Sequence, residues 1–373
     1  MITVEDLDRD PYPIYAHLRR NEPVAWVEAV NVWFVTRWAD VERVGGDPET
    51  FSAQVDTSPV EAAFGSPTII TVDGPVHKEL RRSLDTKYRP REVLTYIDDL
   101  VGPIVEEQLS RLKGTAELMA DYFEPISVLS LGKVLGLADL DAETLRGWFA
   151  RLSEGATNFE RSPAKQAISD SAAREIDEHV GALMDAPPHD STIAHLMGIG
   201  RPAAYVMPTF KVILLGGMQE PGHAGGTTIA GLLRNPEQHE AVKADPALVP
   251  MAVEEALRWV SPIGTQTRQV TRPVTLGGVD LPEGAPIAAL LSSANRDETI
   301  YRDADTFDLF RERRTNAAFG FGPHYCTGHA FSRHQIQLAV QALVQKFPGM
   351  RLTHEPVFRG WEFRAPSRLD VAL

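Results

Sequence analysis

Residues 319–328 read FGFGPHYCTG, and an amphipathic run with apolar Ala330, Ile336, Leu338, Ala339, Leu343 and Phe347 follows. Cys326 therefore lies on a glycine-rich loop where a helix begins. Backbone N–H groups and the positive end of the helix dipole at such a place favour a thiolate over a thiol. Three glycines within nine residues, Gly320, Gly322 and Gly328, let the backbone approach something flat and large. Cys326 is the single cysteine in 373 residues, which excludes internal disulfides and any Cys-pair zinc site. A lone thiol is either inert packing or chemistry. A thiolate cradled this way suits a soft metal whose other ligands are not thiolates, and a porphyrin supplies its own four nitrogens, so one protein ligand suffices.

Outward from that loop, 37 Lys and Arg against 51 Asp and Glu give a net charge of −14, which argues against a nucleic-acid binder. With 43% hydrophobic and 24% charged residues the chain belongs with globular proteins. The opening MITVEDLDRDPYPIY is acidic and lacks an apolar run, so neither a signal peptide nor a membrane anchor is expected, and a cytoplasmic location follows. No repeat or linker is evident, and residues 1–373 read as one domain. Apolar spacings of three and four predict helices over Val93 to Leu112 and Ala167 to Met184. Strand-like runs occupy Val32 to Thr36, Arg268 to Val279 and Pro286 to Leu291. The balance is mainly α with small β-sheets.

A further helix is expected over Ala203 to Leu233, yet Gly216, Gly217, Pro221, Gly222, Gly225 and Gly226 crowd its middle. Pro221 cannot donate to the carbonyl of Gly217, so an opening or kink is expected there. Two readings stand: two helices joined by a glycine loop, or a core helix opened where a ligand lies against its backbone.

Phe319-Gly320-x-Gly322-x-His324-x-Cys326-x-Gly328 resembles the haem-binding loop of the cytochrome P450 haem-thiolate superfamily at every motif position. Glu255-Ala256-Leu257-Arg258 resembles the Glu-x-x-Arg motif on the family's helix K, with the two charges one helical turn apart. The resemblance implies a triangular helical prism holding haem b between a distal helix I and a proximal helix L. Cys326 is then the axial ligand of the iron, with Phe319, Gly320 and Gly328 around it. Asp73-Gly74-Pro75-Val76-His77-Lys78-Glu79-Leu80-Arg81 resembles the family's helix C, so His77 and Arg81, with Arg268 and His324, become partners for the haem propionates. Buried carboxylates need such cationic or donor partners.

The long helix resembles the distal helix I. Most monooxygenases of the family carry an acidic residue followed by Thr there, whereas this chain has Gln219 and Glu220, then Pro221. In a closed apolar pocket burial should raise the pKa of Glu220 and make it a proton donor near neutral pH, helped by Gln219. The segment from Gly216 to His223, together with Ile263-Gly264-Thr265-Gln266-Thr267, resembles the bacterial aryl-O-demethylases acting on guaiacol and syringol. That implies a pocket of Val212, Gly216, Glu220, Ile263, Gln266 and Thr267, with Phe64, Phe159 and Phe363 as an aromatic clamp. Val212, Gly216 and Glu220, spaced by four, share one stripe of a helix. Gln266 replaces a small residue of the guaiacol enzyme, and its amide suits a second methoxy oxygen, which favours syringol.

The expected activity is oxidative O-demethylation of a small methoxyphenol by a monooxygenase, releasing formaldehyde. It uses O2 and a separate flavin and iron-sulfur reductase fed by NAD(P)H, because the chain has no dinucleotide fingerprint and no cysteines for a cluster. Arg313, Arg314 and Arg333 form a basic patch suited to docking that reductase. Alternatives are a peroxygenase driven by H2O2 through Glu220, a hydroxylase of another small aromatic, and a haem-based sensor or carrier without turnover.

Overall fold

Where apolar side chains recur every three or four residues the chain is helical, and most of the molecule is built this way. The computed structural model describes residues 2–56 and 58–373. The helices that shape the site are α1 (Gly74–Tyr88), α2 (Ile97–Arg111), α3 (Glu124–Leu135), α4 (Ala142–Ala156), α5 (Pro163–Asp185), α6 (Ala203–Met218), α7 (Glu220–Arg234), α8 (Val249–Trp259) and α9 (His329–Lys346). The two periodic runs read from the sequence are α2 and α5. The second starts four residues early because Ser162 caps it, accepting from the N–H of Lys165, and Pro163 opens its first turn.

Five strands, β1 (Val24–Val27), β2 (Val32–Val35), β3 (Phe51–Ser52), β4 (Thr265–Val270) and β5 (Pro286–Leu290), form one sheet in the order β1-β2-β5-β4-β3. β2 and β5 run parallel with Phe34 opposite Ala288, and β4 runs antiparallel to β5 with Thr267 opposite the same Ala288. The apolar run at Pro286 is thereby the inner strand, paired on both sides. The strand expected over Arg268 to Val279 divides: its start ends β4, while Gly277 and Gly278, both at positive φ, turn a separate hairpin between Val274–Leu276 and Val279–Leu281.

The long helix expected over Ala203 to Leu233 is two helices broken at a single residue. Gln219 ends α6 and caps α7, with Pro221 in the first turn of α7, where a missing N–H costs little. The N–H of His223 donates to the carbonyl of Gln219 at 2.8 Å. No glycine loop separates the two halves. The glycines of α7 serve packing instead: a Cβ on Gly225 would stand 2.4 Å from the Phe123 ring, one on Gly226 2.2 Å from Met119 Sδ, and one on Gly231 2.5 Å from the Phe307 ring. Small residues thus let α7 run through the centre of the molecule against α3, α8 and α9. Gly216, by contrast, faces open space, with nothing within 4 Å of the place its Cβ would take.

Candidate active site

The loop before α9 turns on Gly320 and Gly322, whose φ values of +73° and +68° favour glycine. A Cβ on Gly322 would also strike the carbonyl of Gly45 at 2.2 Å. The Cys326 N–H donates to Phe319 O at 2.9 Å, and Arg81 of α1 donates from Nη1 to Tyr325 O at 2.7 Å. The guanidinium of Arg333 lies over the Phe319 ring, 4.2 Å from its centroid, while its Nε donates to Glu254. The loop is therefore held from both sides, and its sulfur opens into a cavity of about 370 Å³.

Burial raises the pKa of Cys326, against the downward pull of a hydrogen bond from the Gly328 N–H and of the charges on Arg81 and Arg333. The backbone hydrogen bond at the helix start favours the thiolate, as expected from its position, while burial opposes it. In a low-dielectric cavity the cost of a bare anion exceeds what a few backbone dipoles return, so a thiolate there needs a cation at the sulfur.

His77, Arg81, Arg268, His324, Phe319, Gly320 and Gly328 all line this cavity with Cys326. His77 and His324 stack with ring centroids 4.1 Å apart. His324 Nε2 pairs with Asp73 Oδ1 at 2.9 Å. Asp73 resists the upward push of its own burial, because His324, the Ser52 hydroxyl and the Ala53 N–H donate to it and hold it at about 2. Burial, then the charges of His324 and Arg81, lowers His77 to about 4. Burial lowers Arg268 to about 10. Three buried nitrogens in this group, His77 Nε2, His324 Nδ1 and Arg268 Nη2, have no hydrogen-bond partner. A buried guanidinium donor and two buried ring nitrogens without partners are costly by themselves and call for a polar group there; Arg268 donates to a carboxylate as it stands, and the histidines do so in the tautomer or protonation state that places a hydrogen on the free nitrogen.

On the other side stands Glu220 at the start of α7. Its Oε2 accepts from the Gln219 N–H at 3.1 Å, its Oε1 has no partner, and burial raises its pKa to about 8. Its charge is felt at Cys326, so the two groups share the cavity. Phe64, Phe159, Val212, Gly216, Ile263, Gln266, Thr267 and Phe363 line it as well. Gln219 does not line it, and acts through its backbone as the cap between the helices. The amide of Gln266 sits against the backbones of Gly45 and Gly320, its strand face shared with Arg268, and Oε1 is unpartnered. It serves the end of the cavity near the thiol loop, which removes the argument from a second methoxy oxygen.

Behind the cavity Glu255 and Arg258 form a buried two-pronged pair, Nε to Oε2 at 2.8 Å and Nη2 to Oε1 at 2.7 Å. Arg258 also donates to the carbonyls of Asn295, Ala304 and Thr306. Of the expected basic patch, Arg313 and Arg314 are exposed, whereas Arg333 is committed inward to Glu254 and Phe319 and is not free for docking.

A family model described as Cytochrome P450 matches residues 237–353. Cytochrome P450-SU2 of Streptomyces griseolus is 30% identical over 94% of this chain and 90% of its own length. The chain belongs to the cytochrome P450 family. Nocardicin C N-oxygenase of Nocardia uniformis is 29% identical over 97% of this P450 and 95% of its own length. The crystal structure of P450BioI in complex with an acyl carrier protein ligated to hexadec-9Z-enoic acid superposes with a TM-score of 0.89 at 24% identity, covering 98% of both chains. The mainly helical P450 fold with small sheets is thereby shown, and its cofactor is haem b. P450s take O2 and draw electrons from NAD(P)H through separate redox partners. Among the described residues, no helix is long and apolar enough to cross a membrane.

The residues present fit haem. The unpartnered nitrogens of His77, His324 and Arg268 suit its two carboxylates, and Cys326 offers the only thiol. Two carboxyl groups that bear on this P450 site were not read from the sequence. Asp73, which orients His324, is marked only by its place before Gly-Pro. Glu362, a second carboxyl lining the cavity, is marked only by lying between Trp361 and Phe363.

Proposed function

We propose that this P450 is a haem-thiolate monooxygenase that removes the methyl group of a small methoxyphenol of the guaiacol or syringol type. The observation that carries the reading is a protonatable Glu220, its Oε1 without a partner, facing a cavity walled by Phe64, Phe159 and Phe363. The cofactor, bound through Cys326, supplies the activation of oxygen needed to oxidise a C–H bond. The chain supplies the rest. Val212, Gly216 and Ile263 leave an apolar floor that excludes water, the phenylalanines hold the ring by its faces, and Glu220 Oε1 carries a proton at neutral pH. In sum, methoxyarene, O2, NAD(P)H and a proton give the phenol, formaldehyde, NAD(P)+ and water, the hydroxylated methyl collapsing to formaldehyde.

Glu220 supports a second reading, in which H2O2 replaces O2 and the reductase. Its carboxyl takes the place of the usual acid–alcohol pair and is positioned both to accept and to return a proton. Formaldehyde release from a panel of ortho-methoxyphenols, run with peroxide alone and with reductase plus NADH, tests both readings. Formaldehyde from guaiacol or syringol is expected. Neither formaldehyde nor a spectral shift with any of the panel would refute the methoxyphenol reading.

A further inference from the structure

Glu362 takes no part in the chemistry described so far. Its backbone is fixed against the start of β4: the Gly264 N–H donates to Glu362 O at 2.8 Å, and Phe363 bridges Ile263. The carboxyl meets a single donor, the Thr265 hydroxyl, at 3.0 Å from Oε1 and 2.8 Å from Oε2. A hydroxyl has one hydrogen. At least one carboxyl oxygen is therefore without a donor, and among the described residues no Lys, Arg or His forms an ion pair with it. Burial accordingly raises its pKa to about 7.

The surroundings narrow what fills that vacancy. Phe363 follows directly in the chain, and Phe159 packs at 5.7 Å on Trp361, the residue before. The other strongly polar groups of the cavity stand at other places along it. His77, Arg268 and His324 gather at the cofactor end, Glu220 sits at the helix break, and the Gln266 amide lies against Gly45 and Gly320. Next to Phe363 in the chain, Glu362 is an acceptor that Thr265 only half satisfies. An unfilled acceptor on an apolar wall selects a ligand that brings a donor on an apolar body.

We propose that Glu362, oriented by Thr265, accepts the hydrogen bond of the substrate's phenolic hydroxyl and so makes the enzyme choose free phenols over their methyl ethers. This rests on the methoxyphenol reading and adds the residue that recognises the hydroxyl. A phenol O–H on a carboxyl in a closed site is a charge-assisted bond, and its loss leaves the carboxyl unpaired.

The test is a spectral titration of the holoenzyme with guaiacol and with veratrole, its methyl ether, in the wild type and in Glu362→Gln. The wild type is expected to bind guaiacol roughly tenfold or more tightly than veratrole. The variant is expected to lose that margin through weaker guaiacol binding, its affinity for veratrole unchanged. Equal affinity of the wild type for the two ligands overturns the assignment without recourse to a variant. Equal weakening of both ligands in Glu362→Gln assigns the residue a structural role and overturns it too. A wild type that binds neither overturns the methoxyphenol reading and the assignment together, so the two failures are distinct.

Discussion

Glu220 changes its pKa from 4.5 to about 8 on folding, because burial penalises its charge. The folded protein therefore holds a proton that the unfolded chain releases above its own pKa. The sign is fixed by that difference: no penalty below pH 4.5, and stability lost as the pH rises to about 8. Glu220→Gln keeps the shape without the proton. It is expected to flatten the decline and to gain on the order of a few kcal/mol at pH 8 and above in urea titrations. The same variant should abolish peroxide-driven turnover by about a hundredfold or more if its proton is used. Unchanged turnover would show that another group moves the proton. Asp73 illustrates a second kind of residue effect. It touches His324, the Ser52 hydroxyl and the Ala53 N–H but not the cavity's contents; Asp73→Asn keeps an acceptor for Ser52 and Ala53, so the fold should stay intact while haem transfers to apomyoglobin severalfold faster, read from the Soret band during transfer. An unaltered transfer rate would mean that His324 needs no orientation.

At the scale of elements, the break between α6 and α7 and the glycines beside it follow from different causes. Pro221 and the cap at Gln219 set the break, whereas Gly225 admits the Phe123 ring to the helix. Gly225→Ala should therefore cost about 1–3 kcal/mol by overpacking. Gly216→Ala meets nothing within 4 Å and gains about 1 kcal/mol of helix propensity, while narrowing the space left for the ring. Paired denaturation curves and guaiacol titrations of the two variants separate these outcomes. The contrast also marks what sequence reasoning reaches. The thiol loop and the Glu255–Arg258 pair are legible because their chemistry is packed into short, fixed spacings. The reasons for Gly225, Gly226 and Gly231 are Phe123, Met119 and Phe307, distant in the chain, and no local pattern announces them. Likewise His324 meets Asp73 across 251 residues and Glu362 meets Thr265 across 97, so only the fold brings them together. The helix start at Cys326 is local and visible in the sequence, whereas the burial that opposes its ionisation depends on the whole cavity.

Across the whole molecule the Glu255–Arg258 pair ties α8 to the segment leading into the thiol loop. Arg258 donates at 3.0 Å to Asn295 O, 2.7 Å to Ala304 O and 2.8 Å to Thr306 O. Asn295 continues the chain of contacts, its Nδ2 on Ser261 Oγ at 2.7 Å and its Oδ1 accepting from the Ala317 N–H at 2.6 Å, two residues before Phe319. Arg311 adds its Nε to Glu255 Oε1 at 3.1 Å. A lysine at position 258 retains the charge, but a compact ammonium cannot span the carboxylate and three carbonyls in the plane that the guanidinium fills. Buried acceptors would be stranded, at a cost of about 3–5 kcal/mol. That loss should not stay local, because the same carbonyls shape the approach to Cys326. Arg258→Lys is accordingly expected to lower both the urea midpoint and the fraction of reduced, CO-treated protein that shows the red-displaced Soret band of thiolate ligation. A variant that unfolds earlier yet keeps the full thiolate band would confine the pair to general stability. Loss of the band at unchanged stability would place its main effect on the loop.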